Sequence, residues 1–243
     1  MSAPRFYVDG PLAAPTTVTL PAGVAHHVLR ALRLREGDEL VLFDGRGGEY
    51  AGKLAVSGKQ AFAVLERFDP REAESPLPVT LVQALAGGDK MDWVVEKAVE
   101  LGVAAIQPVQ SERSVVRLQG ERADKRRAHW QAIAVAASEQ CGRNRVVPVQ
   151  PILRLDEWLA QPLAAGAAHL VLHPDESAPL WERLPAPQPV VLLIGPEGGW
   201  SEREVQAARA AGYLPARCGP RVLRTETAGL AGLAALQARH GDF

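Results

Sequence analysis

From residue 79 onward, continuous apolar runs alternate with segments whose apolar residues recur every three or four positions. Short apolar runs are typical of strands buried on both faces, and the longer periodic segments are typical of helices. The predicted strands are residues 79–85, 104–109, 169–172 and 190–194. The predicted helices are residues 89–101, 124–141 and 228–238. This alternation predicts an α/β fold in which helices cover both faces of a parallel sheet.

Residues 1–70 follow a different pattern, in which short apolar or alternating runs are separated by Gly, Asp and Pro turn signals. The runs that predict strands are residues 5–8, 18–20, 39–43, 50–56 and 61–68. Residues 24–34 predict one short helix among them. We therefore expect a small β-barrel-like domain at 1–70, a proline-rich linker at 71–78 and a second domain at 79–243.

Composition narrows the class of protein. With 47% hydrophobic residues in a chain of 243, a substantial core can be buried. The sequence has neither an apolar run of about 18 residues nor a signal-peptide pattern, so we expect a cytoplasmic protein without a membrane span. Cys141 and Cys218 lack the spacing of zinc ligands, so no metal site is predicted.

The distribution of charge bears on whether the chain binds nucleic acid. The net charge of −1 argues against a protein held to nucleic acid by bulk charge alone. Residues 110–147 nevertheless contain eight basic and four acidic residues, which suits either RNA phosphates or a solvated helix face.

Residues 47–53 match G-x-x-x-x-G-K, but Leu54 follows where a P-loop has Ser or Thr. A nucleoside triphosphate site is therefore not predicted.

Two loops in the last third carry the densest candidate chemistry. The segment GPEGG directly follows the predicted strand 190–194, and its glycines allow the backbone to approach a ligand closely. Ser201 and Glu204 then form a capping box, which predicts the start of another helix. The second loop, residues 218–227, contains the polar segment RVLRTET and leads into the last helix.

The segments GPEGGWSEREV and GPRVLRTETAG together resemble the SPOUT methyltransferases, and within them the bacterial 16S ribosomal RNA uridine N3-methyltransferase family. The pattern H-H-x-L-R-x-L-R-L-x-x-G-D at residues 26–38 resembles the PUA-like RNA-binding domain that precedes the methyltransferase domain in that family. The resemblance implies a SPOUT domain with a trefoil knot behind a PUA-like β-barrel. It also implies S-adenosylmethionine as cofactor, 16S ribosomal RNA or the small ribosomal subunit as partner, and a homodimer.

The loops that match the family supply candidate cofactor residues. The resemblance implies that three loops hold the cofactor in a bent form and that a second subunit completes the site. The implied cofactor-binding residues are Leu172, His173, Ile194, Gly195, Gly198, Gly199, Cys218, Gly219, Leu223 and Thr225. The last helix, which buries Leu230, Leu233 and Leu236, is a candidate for part of the dimer surface, and core packing inside one subunit is the alternative.

Methylation of uracil N3 is helped by a group that removes the N3 proton or by cations that stabilise charge on O2 or O4. Arg224 and Glu226 are the candidates for these roles. Glu197 is a further candidate, although a carboxylate so near a helix N-terminus can serve the helix dipole alone. The candidate RNA-binding residues are Arg30, Arg33, Arg113 and Arg143.

We therefore expect an S-adenosylmethionine-dependent ribosomal RNA (uridine-N3)-methyltransferase that acts in ribosome biogenesis. Two alternatives stay open. One is a ribose 2′-O-methyltransferase of the same superfamily, against which the PUA-like N-terminus and the RVLRTET loop weigh. The other is a non-catalytic RNA-binding factor for ribosome assembly, against which the intact glycine loops weigh.

Overall fold

The computed structural model describes residues 3–58 and 60–243. The chain forms two compact units, of which the first contains Met1–Glu74 and Ser138–Val146, and the second contains Ser75–Ala137 and Val147–Phe243. Within the described ranges, no helix is both long and apolar enough to cross a membrane. The same residues contain no group of three or more His, Cys, Asp or Glu side chains that could hold a metal ion.

A five-stranded sheet forms the first unit. Its strands are β1 (Arg5–Tyr7), β2 (Thr16–Thr19), β3 (Glu39–Phe43), β4 (Glu49–Ser57) and β5 (Gln60–Asp69). They lie in the order β1-β3-β4-β5-β2; β1 pairs with β3 in parallel, and the other neighbours pair antiparallel. Leu40, Leu42, Leu54 and Leu65 are buried in the core of this unit. The predicted β-rich N-terminal domain is confirmed.

The helical segment of the first unit ends earlier than predicted. Helix α1 (Ala22–His26) continues into a π-helical segment, His27–Ala31. Arg33 then has a φ of 56°, the left-handed conformation that commonly follows the end of a helix. Arg30 therefore lies in the last turn, whereas the expectation that Arg33 also lies on the helix is wrong. Both side chains are exposed.

A segment from much later in the chain, Ser138–Val146, completes the first unit. Glu139 Oε1 accepts a hydrogen bond from Tyr7 N–H at 2.8 Å. Asn144 Oδ1 accepts another from Arg5 Nη2 at 2.7 Å. Strand β1 is therefore held in place by side chains that lie far from it in sequence.

A six-stranded sheet forms the second unit. Its strands are β6 (Val79–Ala84), β7 (Ala105–Gln110), β8 (Leu153–Arg154), β9 (Ala168–Leu172), β10 (Val190–Ile194) and β11 (Leu214–Ala216). They lie in the order β11-β9-β10-β6-β7-β8, and all neighbours are parallel. Every residue of β10 is buried, as expected of a strand covered on both faces. The predicted parallel sheet is confirmed.

Five further helices and a 3₁₀ turn accompany this sheet. They are α2 (Lys90–Glu100), α3 (Glu121–Cys141), α4 (Leu155–Leu159), α5 (Glu202–Ala210), α6 (Thr225–His240) and the 3₁₀ turn Leu180–Glu182. At the start of α5, Glu204 N–H donates to Ser201 Oγ at 3.2 Å, and Ser201 N–H donates to Glu204 Oε2 at 2.9 Å. The predicted capping box is confirmed.

Helix α6 begins at Thr225 rather than at the predicted residue 228, so the end of the second loop is helical. Leu230, Leu233 and Leu236 are only 7%, 0% and 2% exposed within the single chain. Burial of each such side chain contributes about 1.5–3 kcal/mol. These three leucines therefore pack in the core of the single chain, and a part for α6 in a dimer surface stays a prediction.

Candidate active site at the carboxyl ends of the strands

The parallel strands of the second unit end at one edge of the sheet, where the loops after β9, β10 and β11 enclose a cavity of about 520 Å³. We call it the loop cavity. Its lining comes from parts of residues 172–175, 194–200 and 217–228, together with Lys90 and Arg113. Strands β6 and β10 are neighbours, but the chain continues from β6 to β7 on one side and from β10 to β11 on the other side of the sheet. Open α/β sheets bind ligands at such switch points.

One wall of the loop cavity is apolar and includes Leu172, Ile194 and Leu223. Trp200 fixes this wall, because its Nε1 donates a hydrogen bond to the carbonyl of Leu172 at 3.2 Å. The Trp200 ring also packs against Gly195, where a Cβ atom would lie 3.1 Å from Cε2 of the ring. A larger residue in place of this glycine would displace the ring, so the packing of glycine on tryptophan sets the shape of the wall.

A buried chain of hydrogen bonds joins the β10 loop to the first turn of α6. Thr225 Oγ1 donates to the carbonyl of Gly195 at 2.5 Å and accepts from Gln83 Nε2 at 3.0 Å. Gln83 is fully buried near the end of β6, where hydrogen bonds are electrostatically strengthened. Gln83 is not among the site residues predicted from the sequence, although a polar side chain near the end of an apolar strand is a signal that could have identified it.

Arg113 binds the glycine loop after β10. Its Nη1 donates to the carbonyls of Gly198 and Trp200 at 3.0 and 3.1 Å. The structure therefore brings this predicted RNA-binding residue into the loop cavity. Gly198, a predicted cofactor residue, is not part of the cavity lining, and its carbonyl is occupied by Arg113.

Lys90 and Glu197 form an ion pair inside the loop cavity. Lys90 Nζ donates to Glu197 Oε1 at 2.9 Å, and the same oxygen accepts from Gly87 N–H at 2.9 Å. Burial works against ionisation of Glu197, but the hydrogen bonds from Lys90 and Gly87 outweigh it and lower the pKa of the carboxyl. The hydrogen bond to Glu197 is in turn the main cause of the raised pKa of Lys90. Both groups are therefore charged at neutral pH.

Glu226 differs from Glu197 because it has a buried oxygen that lacks a hydrogen-bond partner among the described residues. Its Oε2 atom is buried and has no hydrogen-bond partner among the described residues. Lys90 Nζ lies 3.9 Å away, which gives Coulomb attraction but is too long for a hydrogen bond. Arg224 is the N-cap residue of α6 and lines the same cavity. The structure thus brings the three candidate catalytic residues, Glu197, Arg224 and Glu226, together.

Nine of the ten predicted cofactor residues line the loop cavity. They are Leu172, His173, Ile194, Gly195, Gly199, Cys218, Gly219, Leu223 and Thr225. Gly199 and Gly219 have φ values of 65° and 78°, and apart from the adjoining residues no atom lies within 4 Å of the position of a Cβ on either. Their turns present bare backbone to open space, which lets a ligand approach closely. An apolar wall beside such backbone suits an adenosine-containing ligand such as S-adenosylmethionine.

The predicted RNA-binding residues lie in different parts of the chain. Arg30 and Arg33 are exposed in the first unit, whereas Arg113 lines the loop cavity. The side chain of Arg143 is 6% exposed and forms an ion pair with Glu74. We do not carry Arg143 into the proposed RNA-binding set, because a buried and paired guanidinium group offers no free face to a phosphate.

A second cavity of about 680 Å³ lies near the carboxyl ends of β7 and β8. We call it the arginine cavity, because Arg117, Arg154 and Arg203 line it. Arg154 forms an ion pair with Asp156, and Arg203 forms one with Glu112, both at 2.5 Å. Arg117 Nη2 donates to the carbonyl of Glu112 at 2.6 Å. The arginines of this cavity are therefore bound by neighbouring protein groups.

Known proteins resemble the chain over its full length. The protein named ribosomal RNA small subunit methyltransferase E from Bacillus subtilis is 31% identical over 229 residues, covering 90% of this chain and 89% of the relative. The protein of the same name from Mycobacterium bovis is 33% identical, covering 97% and 92%. The Neisseria gonorrhoeae structure of that name, bound to S-adenosyl methionine, has a TM-score of 0.92 and 43% identity over 100% of both chains.

A putative methyltransferase from Legionella pneumophila, solved with the cofactor SAM, has a TM-score of 0.95 and 36% identity, again over 100% of both chains. Residues 73–237 match the model of the RNA methyltransferase domain family, and residues 20–66 match that of the RNA methyltransferase PUA domain. Fold and site together define an RNA methyltransferase with an N-terminal PUA domain. The chain belongs to the ribosomal RNA small subunit methyltransferase E family.

Proposed function

We propose that this chain transfers a methyl group from S-adenosylmethionine to N3 of a uridine in 16S ribosomal RNA. The loop cavity carries this proposal, because it combines bare glycine turns with a buried carboxylate oxygen that lacks a hydrogen-bond partner within the described residues. The turns suit a cofactor, and the oxygen suits a substrate proton. Relatives named as small-subunit ribosomal RNA methyltransferases, and related structures solved with the cofactor, support it.

Different residues of the loop cavity would contact different parts of the cofactor. Leu172, Ile194 and Leu223 would enclose the adenine, and the backbone at Gly199 and Gly219 would contact the polar parts of the ligand. When bound, S-adenosylmethionine supplies an activated methyl group on its sulfonium and is left as a neutral thioether. The remaining tasks of the protein are to orient the uracil and to take up its N3 proton.

Glu226 is the proposed acceptor of that proton. Uracil N3 carries a hydrogen and normally pairs, so the base must be unpaired or turned out of its stack. The electron pair of the N3–H bond then forms the new bond from N3 to the methyl carbon, and the proton passes to the free carboxylate oxygen of Glu226. Arg224 would stabilise negative charge on O2 or O4 as the proton leaves. A general base of this kind contributes roughly 10²–10⁴-fold to the rate.

Glu197 has a different part in this proposal. Its Oε1 atom already accepts hydrogen bonds from Lys90 and Gly87. The same hydrogen bonds outweigh burial and lower the pKa of Glu197, which makes it a weak proton acceptor at neutral pH. We therefore assign Glu197 to the positioning of Lys90 rather than to proton transfer.

The proposed RNA contacts begin in the first unit. Arg30 and Arg33 are exposed and lie in the region that matches the RNA methyltransferase PUA domain. Phosphate contacts there would position the RNA, whereas contacts in the loop cavity would act on the base. A substrate of 16S ribosomal RNA or the small ribosomal subunit places the proposed activity in the cytoplasm.

We also propose a two-fold symmetric homodimer, as the family resemblance implies. Because the leucines of α6 are buried, the dimer surface would have to use other apolar side chains. Trp93, Val115 and Val222 are 45%, 75% and 81% exposed in the single chain and are candidates for it. Sedimentation equilibrium should give twice the monomer mass, and a monomer at micromolar concentration would count against the dimer.

Nucleoside mass spectrometry tests the proposed function. Small ribosomal subunits that lack the modification are incubated with the purified protein and S-adenosylmethionine, and their nucleosides are then analysed. N3-methyluridine is the expected product, whereas a 2′-O-methylated nucleoside would favour the ribose methyltransferase. Absence of any product, together with no binding of S-adenosylmethionine in calorimetry, would favour the non-catalytic assembly factor.

A further inference from the structure

Lys90 connects the two carboxylates of the loop cavity. It is the first residue of α2, and its Nζ atom lies 2.9 Å from Glu197 Oε1 and 3.9 Å from Glu226 Oε2. Glu197 is itself fixed by the N–H group of Gly87. The ammonium group is therefore held at a defined point beside the free oxygen of Glu226.

Lys90 and Glu226 present a hydrogen-bond donor next to an acceptor. An ammonium group donates three hydrogen bonds and accepts none, whereas a carboxylate can only accept. Lys90 uses one of its hydrogens on Glu197, which leaves two for a ligand. A ligand edge that satisfies both side chains must therefore carry a donor with an acceptor beside it.

We propose that Lys90 and Glu226 read the edge of the target base and select uracil over cytosine. The inference rests on the proposed function, because it concerns the base that is methylated. In uracil, N3–H would donate to Glu226 Oε2, and O4 would accept from Lys90 Nζ. Lys90 is thus a specificity-determining residue, and Glu197 is the positioning residue that holds it.

Cytosine offers the opposite pattern at both atoms. Its N3 atom carries a lone pair in place of a hydrogen, and this lone pair would face the carboxylate of Glu226. Its amino group at C4 would direct hydrogens at the ammonium of Lys90. A site built to hydrogen-bond a polar edge rejects an analogue that leaves its buried groups unpaired.

Binding in the presence of S-adenosylhomocysteine, which has no methyl group to transfer, separates recognition from reaction. The probes are unmodified small ribosomal subunits with uridine or cytidine at the position that the unaltered protein methylates. The unaltered protein should bind the uridine form more tightly. Lys90→Met should lower the ratio of the two affinities by about 10- to 100-fold, because one charged hydrogen bond is lost. Lys90→Arg keeps a cationic donor and should restore part of the ratio.

Lys97→Met is the matched control. Lys97 lies on the same helix, but its Nζ atom binds Glu96 and Glu100 at 2.7 and 2.8 Å, and it does not line the loop cavity. This change should leave the preference for uridine unaltered. Glu226→Gln provides a second variant should Lys90→Met fail to fold. Its amide group can donate as well as accept, so the preference for uridine should again fall.

The outcomes distinguish this inference from the proposed function. An unchanged affinity ratio in folded Lys90→Met or Glu226→Gln, with N3-methyluridine formed by the unaltered protein, would overturn base selection by this pair and leave the proposed function standing. An equal fall of the uridine-to-cytidine affinity ratio in Lys97→Met would also overturn base selection by this pair, because the effect would then not depend on the loop cavity. If the unaltered protein forms no N3-methyluridine, both proposals fail.

Discussion

The loop cavity and the arginine cavity lie at the same edge of one sheet, yet they differ in how their polar groups are satisfied. The arginine cavity is the larger, at about 680 Å³ against about 520 Å³. Its arginines bind neighbouring carboxylates and carbonyls. The loop cavity, in contrast, has bare backbone at Gly199 and a carboxylate oxygen of Glu226 that no described residue hydrogen-bonds. Open backbone and incomplete hydrogen bonding therefore identify the ligand site better than volume does.

The loops themselves explain this difference. Near the arginine cavity the charges neutralise each other in direct ion pairs, Arg154 with Asp156 in one loop and Arg203 with Glu112 from a distant part of the chain. Such exposed pairs contribute only about 0–1 kcal/mol. The loops of the loop cavity contain glycines instead, and Glu226 has no cationic group within hydrogen-bond distance of its buried oxygen among the described residues.

Removal of the proposed proton acceptor should give the largest contrast between the cavities. Glu226→Gln keeps the size of the side chain but removes its charge, so single-turnover methyl transfer at saturating RNA should fall about 1000-fold. The affinity for S-adenosylmethionine in calorimetry should not change. Asp156→Asn makes the matching change in the arginine cavity and should leave the rate unaltered. A similar loss of rate in both variants would remove the functional distinction between the two cavities.

A side chain on the glycine turn should have the next largest effect. Gly199→Val adds branched bulk to the lining of the loop cavity, and the affinity for S-adenosylmethionine should fall by about 10- to 100-fold, or about 1.4–2.8 kcal/mol. Gly166→Val is the matched control, because Gly166 also has a positive φ, 73°, and open space at its Cβ, but lies outside that cavity. Both changes should cost about 1–3 kcal/mol of stability through backbone strain. Equal cofactor affinity in the two folded variants would exclude Gly199 from the site.

RNA affinity should depend on a different part of the chain from the chemistry in the loop cavity. Arg30→Ala combined with Arg33→Ala should weaken RNA binding and reduce its log–log salt slope by roughly one per lost phosphate contact. Cofactor affinity should stay the same. Arg67→Ala is a suitable control, because Arg67 is an exposed arginine of β5 that is paired with Asp69. An unchanged salt slope in the double variant would make the basic segment 113–145 the better candidate.

A substitution at Glu204, which lines the arginine cavity, should have the smallest effect on activity. Glu204 is buried there and accepts hydrogen bonds from the N–H groups of Ser201 and Glu112 at 2.9 and 2.8 Å. Glu204→Ala should lower the free energy of unfolding in urea by about 1–2 kcal/mol, because a helix cap is lost. The methyl-transfer rate of the folded variant should match that of the unaltered protein. A large fall in that rate would show that this cavity also serves the reaction.

The sequence predicts the long elements of the fold because their patterns are local. Strand β10 is found at Val190–Ile194, as its apolar run predicts. Strands β8 (Leu153–Arg154) and β11 (Leu214–Ala216) were missed, because two or three residues carry no periodicity. Their pairing with β7 and β9 depends on the rest of the sheet. The trefoil knot stays a prediction from the family resemblance.

In the candidate site, too, local motifs could be predicted from the sequence, whereas contacts between distant segments could not. The residues of the two glycine-containing loops could be predicted, because each loop is a compact motif in the sequence. Lys90 was missed because its partner Glu197 lies 107 residues away, and Gln83 was missed because Thr225 lies 142 residues away. Contacts over such separations arise only when the parallel sheet brings the ends of its strands together.

The late segment Ser138–Val146 has a consequence for the order in which the protein folds during synthesis. Strand β1 leaves the ribosome early, whereas Glu139 and Asn144, which bind it, follow much later. At about 5–20 residues per second, the first unit must remain incomplete for several seconds. We expect a fragment that ends at Glu74 to melt at a lower temperature in circular dichroism than the same unit in the full chain. The N-terminal part of the chain is thus made first but is completed only after most of α3 has been synthesised.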